Sequence, residues 1–467
     1  MRAHRLEESE HEYVRSCRRC LAKAEAGGLR GAELAALCRR LRQLGERQAG
    51  LLPGEVLEPL ADLPRLEELP EPPPGQARDV LDRLVVVKLN GGLGTSMGLS
   101  GPKSLLEVKP GMSFLDVLTT QVLALRERHG ARLPLLLMNS AATRGPSLDA
   151  LRRQGGLPVP GVPLDFLQGR EPKVRADDRQ PVWWPADPEL EWCPPGHGDI
   201  YIALAVSGTL DALLGAGLRY AFVSNSDNLG AVADVRIAAW LAAKRVPFAL
   251  EAVGGTPADR KGGHLARYQG RVVLRETAQV PDGDTSFTDV ERWHWYNTNN
   301  IWIDLRALAD LQATDPAAPA LPLIINRKTV DPRDPASTPV IQLESAMGAA
   351  IGSIPGARAL HVPRSRFAPV KTTDDLLVVH SDAYELTDDG QMRPDFDGPG
   401  PVVTLDPQFY ELLPDFEQRF PAGAPSLRRC RRFEVEGDVT FGRDVVAVGD
   451  VRVAGPRHVP DRELLGR

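Results

Sequence analysis

The feature that most restricts this chain is an apolar run that stops at a glycine loop. Leu84-Val85-Val86-Val87-Lys88-Leu89 is rich in valine. It leads into Asn90-Gly91-Gly92-Leu93-Gly94-Thr95-Ser96-Met97-Gly98-Leu99-Ser100-Gly101-Pro102-Lys103-Ser104. The first stretch reads as a buried strand of a parallel sheet. The second has too many glycines for a helix or a strand. Glycine permits positive φ and removes the side chain that would hold a ligand away. A glycine turn after a parallel strand presents backbone N–H groups to an anion, most often a phosphate. The plain alternative is a tight turn. Lys103 adds a full positive charge on a flexible stem.

The loop is not a P-loop, because Pro102 separates Gly101 from Lys103. Gly92, Gly94 and Gly98 read G-x-G-x-x-x-G, one residue longer than the dinucleotide fingerprint. That spacing disfavours a dehydrogenase.

At 467 residues the chain is long enough for two or three domains. Its 42% hydrophobic content supplies a large core, so disorder is not the default. A formal charge of −6 argues against a general nucleic-acid binder. A phosphate site needs only a few local cations. Cys17, Cys20, Cys38, Cys193 and Cys430 form an odd, sparse set that fits a reducing compartment. Cys17-x-x-Cys20 has no second pair and sits in helical flanks, so zinc is disfavoured. No apolar run reaches the roughly 18 residues that span a membrane. The stretch from Met1 to Glu10 is charged and lacks a secretory apolar core. A cytoplasmic location is expected, with neither membrane nor nucleic acid as partner.

Before the strand, Leu34, Leu37, Leu41 and Leu44 step by three and four, which predicts a helical cap. Arg39-Arg40 is expected on its solvated face. Pro70, Pro72, Pro73 and Pro74 predict a linker from Leu69 to Gln76. After the loop, Ser113 as N-cap with Asp116 three residues on predicts a helix to Arg128. Leu133 to Met138 is the next buried strand, ending in Asn139-Ser140. Strand, glycine turn, helix and strand make a βαβ unit. In such sheets ligands bind at the carboxyl edge.

Further along, Pro194-Pro195-Gly196-His197-Gly198-Asp199 is a rigid turn. Either Asp199 N-caps a helix from Ile200 to Leu214, or Gly196 and His197 meet a base or a phosphate. The predicted strand from Leu218 to Val223 runs into Ser224-Asn225-Ser226-Asp227. A carboxylate just past a strand end suits magnesium, which binds one or two carboxylates plus substrate phosphates. An Asx turn is the alternative for Asp227. Phe248 to Val253 predicts another strand, and Lys261 to Leu274 a hairpin. Asn297-Thr298-Asn299-Asn300 offers amide donors and acceptors to sugar hydroxyls, or forms a plain turn before Ile301. Ile341 to Glu344 is expected to open a helix of small residues, Ala346 to Ile351. Arg364, Arg366 and Lys371 cluster in a run punctuated by Pro363 and Pro369, which predicts a folded, fixed segment. Phe433, Val439, Val445 and Val451 recur every six residues, the mark of a parallel β-helix.

Several of these strings lie in the order of one known family. Lys88 to Thr95, Met97-Gly98 and Gly101 to Ser104 resemble the nucleotide-binding loop of eukaryotic-type UTP–glucose-1-phosphate uridylyltransferases, the UDP-glucose pyrophosphorylases. Pro194 to Asp199, Asn297 to Asn300 and the run around Lys371 are similar to further motifs of that family. Leu99 stands where many members have cysteine. The matches extend from about Leu84 to Leu377.

The resemblance implies an α/β fold with a Rossmann-like (GT-A-like) nucleotidyltransferase domain and a mixed, mostly parallel sheet. An N-terminal helical segment and a short C-terminal left-handed parallel β-helix complete it. The expected division is residues 1–80, 81–383 and 384–467. The implied activity is transfer of UMP from UTP to glucose 1-phosphate, giving UDP-glucose and pyrophosphate, with Mg2+ as cofactor. A broader UDP-sugar or UDP-N-acetylhexosamine pyrophosphorylase and a non-catalytic UDP-sugar-binding regulator are the rivals. By resemblance, Lys371, on a strand, and Lys103 are catalytic, and Asp227 holds the metal. Leu89, Asn90, Gly91, Gly92, Lys103, Gln168, Gly196, Asp227 and Lys371 would bind the nucleotide, Gln168 contacting uracil. Gly91, Gly92, His197, Asn225, Ser226, Asp227, Asn297 and Asn299 would face the sugar phosphate. The family's C-terminal domain mediates subunit contacts, which allows a homo-oligomer through that domain.

Overall fold

The structure is a computed structural model that describes residues 2–46, 50–396 and 400–466. Contacts group the chain into two compact units. One holds residues up to Pro72, Pro160–Val223 and Val235–Val362; the other holds Pro73–Val159, Ser224–Asp234 and the chain from Pro363.

In the first unit, helices Arg2–Ala26 and Gly31–Gly45 lie at the N-terminal end. Leu37, Leu41 and Leu44 pack with Val174, Leu323, Ile341 and Leu343. Arg40 is not on a solvated face. It falls between Leu37 and Leu44 on the apolar stripe, is buried, and reaches Glu171 at 2.5 Å. A helix stripe more than 100° wide includes such positions.

The sheet of this unit is built on Trp295–Asp304, which runs antiparallel to Tyr220–Asn225, Phe248–Gly254 and His264–Tyr268. Phe248–Gly254 also pairs in parallel with Arg358–His361. The sheet is mixed, but within this unit antiparallel ladders outnumber parallel ones, against the mostly parallel expectation. The reason is that one ten-residue strand opposes three neighbours. The hairpin His264–Tyr268 with Arg271–Arg275 forms as expected.

Two local expectations fail in this unit. Ile341–Glu344 opens no helix; Pro339–Glu344 is a strand paired with Ile324–Thr329. The small residues after it make a 3-10 turn, Met347–Gly352. A Cβ on Gly348 would lie 2.9 Å from Leu274 and 3.0 Å from Leu250, so close packing set these small residues. The helix expected from Ile200 to Leu214 is broken into Ile200–Val206 and Thr209–Gly215, bent by 68°. Ser207 Oγ donates back to the Ala203 carbonyl, and Gly208 takes φ +72°. Among the described residues no single helix is long and apolar enough to cross a membrane.

His264 gives this unit an acid-sensitive core. The ring is fully buried, stacked on Trp293 at 4.6 Å and close to Phe287 at 4.8 Å. Neither ring nitrogen has a hydrogen-bond partner. Burial, then the Arg275 and Arg292 cations, push its pKa down to about 3. A depressed histidine pKa contributes stability that is present above the unfolded value near 6.5 and lost as pH falls towards the folded one. At pH 5 the loss is about 2 kcal/mol. His264→Phe is therefore expected to flatten the fall of Tm between pH 7 and pH 5. An unchanged slope would refute the assignment.

In the second unit, Leu84–Asn90 pairs in parallel with Leu135–Asn139. Val85, Val86 and Val87 are buried, as a strand covered on both faces requires. The connecting helix is Phe114–His129. Ser113 and Asp116 form the expected capping box, and Gly130 ends the helix at φ +60°. The proline linker is shorter than expected: helix Pro74–Leu81 starts inside it, with proline in its first turn, where no N–H is needed.

Towards the C-terminus, Val402–Leu405, Ser426–Glu436, Val446–Ala454 and Leu464–Leu465 form a parallel sheet. Val439–Phe441 and Arg457–Val459 form a second parallel pair. Phe433 pairs with Val451, eighteen residues on, and Val439 with Arg457 at the same offset. Phe433, Val439, Val445 and Val451 are all buried in one core. The pairing offset thus equals three six-residue repeats.

Candidate active site

The glycine loop in the second unit is held from below. Asn90 is buried, and its amide donates to Asn139 Oδ1 and Ser147 Oγ, both at 2.8 Å. Its amide nitrogen is thus taken up by the neighbouring strand end and by helix Ala141–Gln154. Gly94 and Gly98 take left-handed φ values of +63° and +73°. The Lys103 N–H donates to the Gly92 carbonyl at 3.2 Å, which folds the loop back on the strand. Gly91 is partly exposed and Gly92 exposed. A Cβ on Gly92 would meet nothing within 4 Å. Neither packing nor φ demands glycine there, and the open space is room for a ligand against backbone.

Lys103, Asp227 and the segment before Lys371 meet at one point. Lys103 Nζ lies 2.8 Å from Asp227 Oδ2 and also donates to the Val370 carbonyl. The Val370 N–H donates to the Asp227 carbonyl at 3.1 Å. Asp227 Oδ1 is buried and has no partner. A buried carboxylate oxygen without a donor is costly, and a lone carboxylate of this kind is chemically suited to a divalent cation that also takes substrate phosphates. Ser226 is buried, and its N–H bonds the Leu89 carbonyl at 3.2 Å, placing the turn beside the end of the first strand. Asn225, partly buried, accepts from the Asn228 N–H.

Lys371 is exposed and lies in a loop, not on a strand as expected. Its N–H donates to Asp375 Oδ2 at 2.7 Å, the same carboxylate that closes the Thr372–Asp375 capping box of helix Thr373–His380. Pro369 two residues earlier lacks the N–H a central strand needs. Its aliphatic stem and ammonium project from a backbone pinned at Val370 and Asp375.

The remaining candidates belong to the first unit. Gly196 takes φ +78°, and a Cβ there would sit 2.6 Å from the Ser345 carbonyl oxygen. The close approach expected of a ligand is made here by the chain's own backbone. The Ser345 N–H bonds Pro195, and Gly198 bonds Ser345. His197 Nδ1 accepts from the Met347 N–H at 3.1 Å. A neutral ring in that geometry carries its proton on Nε2 and donates from there.

The amide run is not a turn before a strand; it is part of Trp295–Asp304. Asn297 and Asn299 bond each other at 2.9 Å in both directions, with Asn299 at φ +57°. Thr298 and Asn300 face the other way, as alternation requires. Thr298 donates to the Glu251 carbonyl, and Asn300 to Glu251 Oε2 at 3.0 Å. Met347-Gly348 joins the two motifs: a Cβ on Gly348 would be 3.3 Å from Asn297 Nδ2. Gln168 is partly buried just past strand Asp165–Leu167, and the next N–H, of Gly169, bonds Asp199 Oδ2 at 2.5 Å. Asp199 makes no side-chain cap for the helix it precedes.

A family model described as UTP–glucose-1-phosphate uridylyltransferase matches residues 45–447. The chain belongs to that family. A UTP–glucose-1-phosphate uridylyltransferase of Solanum tuberosum is 41% identical over 405 residues, covering 86% of this chain and 82% of the relative. One of Saccharomyces cerevisiae is 40% identical over 375 residues, covering 79% and 74%. Among solved structures, a UDP-glucose pyrophosphorylase variant from Leishmania major in complex with UDP-glucose matches with a TM-score of 0.90. It is 38% identical and covers 96% of this chain and 97% of that one. A UDP-glucose phosphorylase from Trypanosoma brucei matches at 0.85, with 40% identity and 96% and 98% coverage.

Sequence reading overlooked several residues that hold the candidate residues of this uridylyltransferase-family chain in place within each unit. Lys88 is buried and donates to Ser224 Oγ and the Ala231 carbonyl, both at 2.7 Å, bracketing the Asp227 turn. Asn228 donates to the Arg366 carbonyl and accepts from the Ala368 N–H, stitching that turn to the Lys371 segment. Glu251 is buried under the amide run, and Trp302 Nε1 donates to it at 2.8 Å. Glu276 lies beside Gly263, whose carbonyl accepts from the Asn297 N–H. A charged residue inside an apolar strand was the available signal for Lys88 and Glu251.

Proposed function

We propose that this enzyme transfers UMP from UTP to glucose 1-phosphate. A phosphate oxygen of the sugar phosphate attacks the α-phosphorus in line. The new P–O bond forms as the bond from the α-phosphorus to the bridging oxygen breaks, and pyrophosphate leaves. The nucleophile is already an anion at neutral pH, so no general base is required. The barrier is repulsion between two anions, and alignment with charge neutralisation lowers it.

In this reading Lys103 grips the triphosphate and Lys371 neutralises charge at the attacked phosphate. Gly91 and Gly92 present backbone to the nucleotide, flanked by Leu89 and Asn90, and Gln168 faces uracil. Gly196 shapes the turn that carries His197, which donates from Nε2 to the sugar phosphate. Asn225, Ser226, Asn297 and Asn299 complete the sugar side. Asp227 holds Mg2+, which when bound neutralises charge on the reacting phosphates; the partnerless buried oxygen supports this. The observation that carries the reading is the meeting of Lys103, Asp227 and the Val370-Lys371 backbone.

Residues 1–80, 81–383 and 384–467 are the functional division we favour, because every candidate falls between Leu89 and Lys371. The eighteen-residue circuit with a buried apolar core supports a short left-handed parallel β-helix at the C-terminus. Val402 and Leu464, exposed apolar residues on its two edge strands, support self-association through it. Sparse, odd cysteines support a cytoplasmic location.

The test is pyrophosphate release from a panel of sugar 1-phosphates with UTP and other nucleotides. UTP with glucose 1-phosphate is expected to be fastest. Equal rates with galactose or N-acetylglucosamine 1-phosphate would make it a broader UDP-sugar pyrophosphorylase. No release from any pair would make it a non-catalytic UDP-sugar-binding regulator.

A further inference from the structure

The strap Gln168-Gly169-Arg170-Glu171 is fastened by buried charge at two points, and this deepens the reading of Gln168 given above. At one end the Gly169 N–H donates to Asp199 Oδ2 at 2.5 Å, and Asp199 is only 5% exposed. A Cβ on Gly169 would lie 3.0 and 3.2 Å from the two Asp199 oxygens, so the glycine fits that carboxylate closely. At the other end Glu171 is fully buried. Its Oε2 accepts from Arg40 Nε at 3.0 Å and Nη2 at 2.5 Å. Between them, the Arg170 guanidinium lies 4.7 Å over the Trp192 ring. The elements involved are a helix near the N-terminus, the strap, and the turn that carries Gly196 and His197.

Buried carboxylates are expensive, and an apolar replacement of such a pair is often neutral or stabilising. Burial pushes Asp199 up to about 6 and Glu171 up to about 7. Packing alone gives no reason for two such groups to be bonded to the three residues that follow Gln168. Asp199 does not serve as a helix cap, although it stands at the cap position. Both groups hold the stretch that directly follows the side chain assigned to the base, Asp199 through the Gly169 N–H and Arg40 through the Glu171 carboxylate. A glutamine amide distinguishes uracil from cytosine only when its orientation is held, because it offers both a donor and an acceptor.

We propose that Asp199 and Arg40 are positioning residues for nucleobase selection, pinning the Gln168–Glu171 strap so that Gln168 reads uracil. The inference gives the helix Gly31–Gly45 a part in substrate discrimination.

The test uses the full chain, with kcat and KM measured for UTP, CTP and glucose 1-phosphate. In Asp199→Ala, KM for UTP is expected to rise about tenfold with kcat within about twofold. The preference for UTP over CTP should fall, and KM for glucose 1-phosphate should hold. Asp199→Asn keeps an acceptor for the Gly169 N–H and should restore both KM and preference to within about threefold. Because Arg40→Met alone leaves Glu171 buried and unpaired, the double variant Arg40→Met with Glu171→Met is the second measurement. It should keep its Tm and lose UTP preference. Unchanged preference in Asp199→Ala or in a folded double variant overturns the proposal, as does an equal rise in KM for both substrates. Wild-type turnover of UTP is the control for the function itself. Without it the function fails; with it, unchanged variants sink only the positioning role.

Discussion

Lys371→Ala is expected to lower kcat on the order of 10³-fold or more while UTP binding stays measurable. The side chain is exposed, and the bond that anchors this residue is made by its backbone to Asp375. Truncation therefore leaves the loop in place and the fold unharmed. In the role proposed for it, what is lost is a cation that meets charge growing as the sugar phosphate attacks. Such a contact acts in the transition state far more than in the ground state, so kcat falls and nucleotide affinity changes little. Pyrophosphate release, paired with calorimetric UTP binding, reads the two effects separately. Near-normal turnover would overturn the role given to Lys371.

Asp227→Asn should have an effect of similar size, with a different signature. The amide keeps the shape of the carboxylate and an oxygen for Lys103 Nζ, so the local fold survives. The Val370 N–H bonds the Asp227 backbone, which the substitution does not touch. In the proposed role the lost charge weakens the hold on Mg2+, and kcat is expected to fall on the order of 10³-fold. Raised Mg2+ should recover part of it. In the same view, excess EDTA should silence the unaltered enzyme and added Mg2+ should revive it. Full activity in EDTA would take Asp227 out of any metal site.

Patterns that live within a dozen residues were legible in the sequence. The valine run ending at Asn90, the Ser113–Asp116 capping box and the hairpin from His264 to Arg275 all form as their local signals require. Each depends on backbone propensity and on bonds between near neighbours. The six-residue spacing of Phe433, Val439, Val445 and Val451, read as a parallel β-helix, accompanies parallel strand pairs at an eighteen-residue offset. The family's motif strings let residues far apart be assigned to one reaction before any fold was known.

Other features had no local signal. Ile341–Glu344 became strand because Ile324–Thr329 lies beside it, not because of its own composition. Gly196 answers to the Ser345 backbone, about 150 positions away in the chain, rather than to a ligand.

The sequence by itself determined where the strands and turns carrying the chemistry would begin, and which side chains were chemically able to handle phosphate, uracil and sugar. Only the tertiary structure decided which of those side chains are committed to the protein, as Asn90, Asn300 and Asp199 are, and which, like Lys371, stay exposed. It alone also brought Lys103 and Asp227 together and set Arg40 against Glu171. The physical reason is range. Helix and turn preferences act between neighbours, whereas the cost of a buried charge is met by whatever partner folding places beside it.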